Sequence, residues 1–129
     1  MAVKRAFISF DFDHDEDLRN LLSGQAKHPD TPFEIRDRSV KELMTGDWKS
    51  KVRNRIRNTD LTIVICGEYT NRADGVSEEL SITRELDHPY FLLWGRADKQ
   101  CHKPRAATTV DKIYKWTWDN LKALINGNR

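Results

Sequence analysis

Cysteine is scarce: Cys66 and Cys101 are the only two in 129 residues, and neither lies in a CxxC or a zinc-ligand spacing. A disulfide framework and a structural zinc site are both set aside. The four histidines, at 14, 28, 88 and 102, are too scattered for a zinc-protease pair. The six glycines, at 24, 46, 67, 75, 95 and 127, form neither a phosphate-cradling P-loop nor a GxGxxG turn. That spacing argues against a kinase, a GTPase or a dinucleotide dehydrogenase. No apolar run approaches a membrane-spanning length, and Met1 to Phe7 runs straight into a strand without an export signal. Nor is there an excess of charge, because 22 Lys and Arg stand against 20 Asp and Glu, a net charge of +2. No bulk field draws the chain to nucleic acid or to an anionic membrane. The expectation is a reducing, cytoplasmic setting, with no nucleic acid and no membrane as partner.

What is present fits one domain over residues 1–129, since 38% hydrophobic residues supply one sizeable core and not two. Apolar patterning alternates between strand and helix along the whole chain. Phe7 to Phe10 reads as a first strand, and the acidic run Asp11 to Asp17 leads into a helix carrying Leu18, Leu21 and Leu22. The segment His28-Pro29-Asp30-Thr31-Pro32 breaks the chain before a second strand, Phe33 to Ile35, with a polar loop from Arg36 to Lys41. A helix is expected from Val40 to Asn58, re-started near Gly46-Asp47, because Trp48, Val52 and Ile56 recur at four-residue steps. The third strand, Leu61 to Cys66, is continuously apolar or β-branched, as the middle of a parallel sheet requires. Val76 to Leu86 follows as helix, Tyr90 to Trp94 as the fourth strand, and Arg96 to Val110 as polar loop. Asp111 to Trp116 makes a fifth strand, and Leu121, Leu124 and Ile125 mark a last helix stopped near Gly127. The fold class is therefore α/β, a three-layer flavodoxin-like sandwich around a five-stranded, mostly parallel sheet.

In such a sheet ligands bind outside the carboxyl ends of the strands, which directs attention to Glu79 in the helix opening Gly75-Val76-Ser77-Glu78-Glu79-Leu80. A first-turn acid is also favoured by the helix dipole alone, so the pattern by itself supports both a functional and a solvated carboxylate. The run Asp11 to Asp17 carries hard oxygen ligands suited to Mg²⁺, but reads as helix-start acids rather than as a metal site. Lys49, Lys51, Arg53, Arg55 and Arg57 crowd the Trp48 helix and read as a solvated flank rather than a phosphate patch. Trp48, Trp94 and Trp116 fall on apolar faces and are expected in the core, and Trp118 stays open.

Four motifs in order carry a resemblance. Phe7-Ile8-Ser9-Phe10-Asp11-Phe12, the strand ending in Cys66-Gly67, Val76-Ser77-Glu78-Glu79-Leu80 and Lys112-Ile113-Tyr114-Lys115-Trp116-Thr117-Trp118 together resemble the TIR-like domains. They are most similar to the bacterial branch around the Thoeris antiphage-defence protein. The resemblance implies a TIR-like sheet and an enzyme that cleaves NAD⁺, releasing nicotinamide and either ADP-ribose or a cyclic or conjugated ADP-ribose signal. NAD⁺ would be the substrate, with no resident cofactor or metal. The family's catalytic glutamate falls on Glu79 in a pattern that usually reads Trp-Val-x-x-Glu-Ile, with Gly75 here in place of the tryptophan. Phe10, Asp11 and Phe12 map beside the nucleotide cleft, with Gly67 at the end of the third strand, while Tyr69, Arg36 and Arg38 on other strand-end loops have the chemistry to stack adenine or meet phosphates but read rather as plain surface. Self-assembly and a downstream effector that senses the product are the partners implied. The alternatives are a non-catalytic interaction module and a small nucleotide-sensing domain.

Overall fold

The structure is a computed structural model and describes residues 4–28, 31–38 and 47–127, without the side chains of Asp37 and Arg38. Five strands form one sheet in the order β2-β1-β3-β4-β5, every neighbouring pair parallel. They are β1 (Lys4–Ser9), β2 (Phe33–Arg38), β3 (Leu61–Cys66), β4 (Tyr90–Trp94) and β5 (Ile113–Lys115). The helices are α1 (Glu16–Ala26), α2 (Trp48–Arg57), α3 (Asp74–Glu85) and α4 (Trp118–Ile125), with a 3₁₀ turn at Thr70–Arg72.

Strand alternation sorts the core into two layers. Ala6, Ile8, Ile63, Ile65, Phe91 and Leu93 pack on one face with Leu18 and Leu22 of α1 and Leu121, Leu124 and Ile125 of α4. On the other face Phe7 meets Trp48, Val52 and Ile56 of α2 and Ile82 of α3, while Val64 and Leu92 meet Val76 and Leu80 of α3. Every residue of β3 is buried, as its unbroken apolar run requires of the central strand. Thr117 caps α4 by accepting a hydrogen bond from the Asn120 amide. At the amino edge of the sheet, the Lys4 ammonium donates to the Ile125 carbonyl at the end of α4, 2.8 Å away.

Several boundaries differ from the sequence reading. Strand β2 runs on through Arg36 to Arg38, and a register shift sets Ile35 opposite Ala6 and Asp37 opposite Phe7. Arg36 is thus an exposed bulge residue on an edge strand, where charged side chains are tolerated. The expected start of the second helix, Val40 to Gly46, lies outside the described residues, and so does the Pro29-Asp30 break. Strand β5 keeps only Ile113–Lys115, because Asp111 is committed to the Tyr90 hydroxyl and the Thr108 amide instead. Cys101, placed by sequence in a polar loop, is buried against Cys66 and Val64.

The basic flank of α2 is largely neutralised: Lys49 pairs with Glu78, Lys51 with Asp47 and Arg53 with Glu85. Exposed pairs of this kind contribute little to stability. Replacing Lys49 and Lys51 together by alanine is expected to leave the urea midpoint at the wild-type value, and salt-dependent binding of DNA or RNA lost in that variant would show a functional patch.

Candidate functional site

The first and third strands define the crevice. Chain leaving β1 enters α1 on one face of the sheet and chain leaving β3 enters α3 on the other, so the strand order reverses between them. This is the position at which open α/β sheets bind ligands. Ser9 closes β1 beside Val64 of β3, on the α3 side of the sheet. Helix α3 begins at Asp74 and includes Gly75, which places Glu79 in its second turn on the inward face with Val76, Leu80 and Thr83.

Glu79 is 5% exposed, and the fully buried Ser9 hydroxyl donates to its Oε1 at 2.7 Å. One turn on, the Thr83 hydroxyl donates to the Glu79 carbonyl at 2.8 Å and lies 3.1 Å from the Thr62 hydroxyl of β3. Helix, strand and carboxylate are thereby cross-linked through buried polar groups. Glu78, turned about 100° around the helix, points outward to Lys49 at 3.4 Å. Only the second of the two adjacent acids faces the sheet.

The remaining sequence candidates fall elsewhere on the carboxyl edge. Asp11 is buried and organises the turn after β1: its Oδ2 meets His14 Nδ1 at 2.7 Å and its Oδ1 accepts from the Asp13 amide. Phe10 is 2% exposed, its ring packed among Ile8 and Leu18 on the α1 face, opposite Ser9 and Glu79. Phe12, half-buried, stacks on it with centroids 5.9 Å apart. Tyr69 is 42% exposed and its ring lies 4.5 Å from that of His14. Together with Asp15, Arg96 and Lys99 these rings help line a cavity of about 260 Å³ that does not include Glu79. Gly67 is held by its amide to the Thr70 hydroxyl and by its carbonyl to the His102 amide. A side chain there would meet the Asp15 carboxylate, since an added Cβ would stand 2.2 Å from Asp15 Oδ2. Arg36, on the outer strand, joins neither group.

The acidic run is spent on structure. Arg96, just past β4, donates to both oxygens of Asp17 (2.8 and 3.1 Å), to Asp15 Oδ1 (3.2 Å) and to the His14 carbonyl (3.0 Å). Asp15 is 1% exposed, and its Oδ2 has no hydrogen-bond partner among the described residues. Burial pushes the Asp15 carboxyl up, with Arg96 pulling against it, whereas the hydrogen bond from Arg96 holds Asp17 below the usual carboxylate range. Among the described residues no group of three or more His, Cys, Asp or Glu side chains is placed to hold a metal ion. Burial also drives the Cys66 thiol far up, so it is an inert core residue.

Two tryptophans are less buried than their sequence setting suggests. Trp94 and Trp116 line a second cavity of about 320 Å³ beside β5, each with its indole N–H bonded internally, to the Arg96 carbonyl and to Gln25. Trp48 is in the core as expected. Trp118 lies under the Lys122 ammonium, 5.5 Å from its centroid.

Sequence reasoning missed Ser9 and Arg96. The signal for Ser9 was a lone hydroxyl in an otherwise apolar strand, Ala6-Phe7-Ile8-Ser9-Phe10.

Five parallel strands in this order, with the central strand wholly buried, define a flavodoxin-like α/β domain. The profile of the family described as Thoeris protein ThsB, TIR-like domain, matches residues 7–100, and the chain belongs to that family. Among solved structures it is similar to the TIR domain of the Toll-related receptor TRR-2 from Hydra magnipapillata. That match has 15% identity and a TM-score of 0.58, covering 95% of this chain and 92% of that one. It is also similar to a prokaryotic SEFIR domain, at 17% identity and a TM-score of 0.56, covering 95% and 90% of the two chains. At these identities the likeness is one of fold. No curated protein matches the chain. Among the described residues no helix is long and apolar enough to cross a membrane.

Gly75, where the TIR-like pattern has tryptophan, has open space around it: an added Cβ meets nothing within 4 Å. Its backbone is helical, so glycine there only costs conformational entropy. Gly75→Ala is expected to stabilise the fold by about 0.5–1 kcal/mol, read as a higher urea midpoint. A lower midpoint would show that this turn needs glycine.

Proposed function

We propose that the chain cleaves NAD⁺ at the nicotinamide–ribose bond, with Glu79 as the catalytic carboxylate. The observation that carries this reading is a buried acid on the inward face of α3, held by the last residue of β1 at the point where the strand order reverses. Membership of the ThsB family supports it.

One carboxylate is enough for this reaction. The pyridinium nitrogen takes the electron pair of the breaking C–N bond, so nicotinamide leaves neutral and needs no general acid, unlike the alkoxide of a glycoside. What remains is positive charge on an oxocarbenium-like ribose, which a preorganised carboxylate stabilises best where water is excluded. Water or a hydroxyl group then captures the ribosyl centre, giving ADP-ribose or a cyclic or conjugated product. The product acts as a nucleotide signal read by an effector in cytoplasmic antiphage defence.

A second reading, a non-catalytic assembly module, is favoured by one feature, the missing indole at Gly75. The deciding experiment incubates the purified chain with NAD⁺ over a range of protein concentrations and quantifies free nicotinamide. Release that depends on the protein is the expected result. No release at any concentration, including those at which the chain self-associates, transfers the function to assembly.

A further inference from the structure

Ser9 occupies a costly position. It is fully buried on a central parallel strand, opposite Val64 and two residues from Phe7, where an apolar side chain would be the stabilising choice. A buried hydroxyl is tolerated when its hydrogen bond is made, and here it is made to the Glu79 carboxylate, 70 positions along the chain and 2.7 Å away. The same helix turn is fastened a second time: Thr83 ties the Glu79 carbonyl to Thr62 on β3 through two further buried hydroxyls. Two hydroxyls on the α3–sheet interface thus meet Glu79, Ser9 on its side chain and Thr83 on its backbone, and a third, on Thr62, ties Thr83 to the sheet.

We propose that Ser9 is a positioning residue for Glu79, holding Oε1 so that the carboxylate keeps one orientation at the carboxyl end of β1. The inference rests on the NAD⁺-cleaving reading for its kinetic consequence, but its geometric content is independent of it. A donor fixed by the strand costs no reorganisation when charge develops nearby, so its loss should slow the chemical step and spare substrate binding.

The test compares Ser9→Ala with Ser9→Thr, which restores the hydroxyl. Urea denaturation confirms that each variant is folded. Ser9→Ala is expected to lower kcat by roughly 10-fold to 10²-fold, the scale of a misplaced catalytic group, with KM within about twofold, and Ser9→Thr to recover most of the loss. In parallel, NMR relaxation of the Glu79 side-chain methylenes should show greater mobility in Ser9→Ala and wild-type rigidity in Ser9→Thr. A Glu79 side chain as rigid in folded Ser9→Ala as in wild type overturns the proposal, and so does an unchanged kcat. A wild type inert toward NAD⁺ sinks the enzymatic reading alone, and the relaxation measurement then decides the role of Ser9.

Discussion

Glu79→Gln is expected to reduce nicotinamide release by roughly 10²–10³-fold, the loss seen when one preorganised electrostatic group is removed from an active site. The substitution is chosen for what it preserves. Glutamine has the shape of glutamate, and its Oε1 still accepts the hydrogen bond from the Ser9 hydroxyl. The charge is lost, and the second oxygen becomes an amide NH2 that donates instead of accepting. Since ground-state NAD⁺ carries no ribosyl cation, its binding should weaken much less than turnover. The neighbouring acid supplies the control: Glu78 faces Lys49 across the α2–α3 surface, so Glu78→Gln should turn over at the wild-type rate. Equal nicotinamide release by wild type and Glu79→Gln, measured where the wild type is active, would remove Glu79 from the mechanism.

Arg96→Ala should be the most destabilising change outside the hydrophobic core, by about 3 kcal/mol at neutral pH, because it strips the cation from a buried acid. Among the described residues Asp15 has no compensating partner in reserve, as its second oxygen is unbonded and lies where a side chain at position 67 would stand. The loss should depend on pH in a definite direction. Burial raises the Asp15 carboxyl above its unfolded value, so the native state binds its proton more tightly than the unfolded chain does. That contribution favours folding in acid and disappears as pH rises through the native value. Without Arg96 the native value climbs further, and the deficit grows towards neutrality. Asp17 acts in the same sense: its lowered value contributes stability above the usual carboxylate range, lost as pH falls, and the variant forfeits it. Urea midpoints of wild type and variant should therefore lie far apart at pH 7, draw together as pH falls to the ordinary carboxylate range, where the Asp15 part vanishes, and converge only below it, where Asp17 is protonated in the native state as well. A gap that does not change with pH would mean that Arg96 acts by packing alone.

Local pattern carried the interior of the fold. Strands β3 and β4 and the Trp48-Val52-Ile56 stripe were legible because an interior parallel strand is apolar throughout and a surface helix is apolar every third or fourth residue. The outer strand was cut short because Glu34, Arg36, Asp37 and Arg38 make the polar composition of a loop, while backbone pairing to β1 keeps it extended. The stretch after Gly95 has no periodicity to read, yet it is pinned by Cys101 in the core and by the Lys103 ammonium on the Thr108 and Asp111 carbonyls. At the site, Glu79 could be picked out as an acid on the helix after a central strand. Arg96 could not, since its partner Asp17 is 79 positions away and no local rule links such distant residues, and the lone hydroxyl of Ser9 marks an anomaly in its strand without pointing to Glu79, 70 positions on. Phe10 shows the converse: its place at a strand end suggested the cleft, and the two-residue period of the strand turns its ring to the other face.

The lysine bond between the start of β1 and the end of α4 makes this chain suitable for rewiring. Residues 4 and 125 are within one side chain of each other, so a short linker can join them and new ends can be cut in an exposed connection. A fluorophore or fused domain attached near either residue would stand at the amino edge of the sheet. The six residues of β1 span about 17–20 Å from that edge to Ser9. Attachments there stand at the opposite end of β1 from Ser9 and Glu79, which is the condition for tethering the protein to a surface without touching the proposed site.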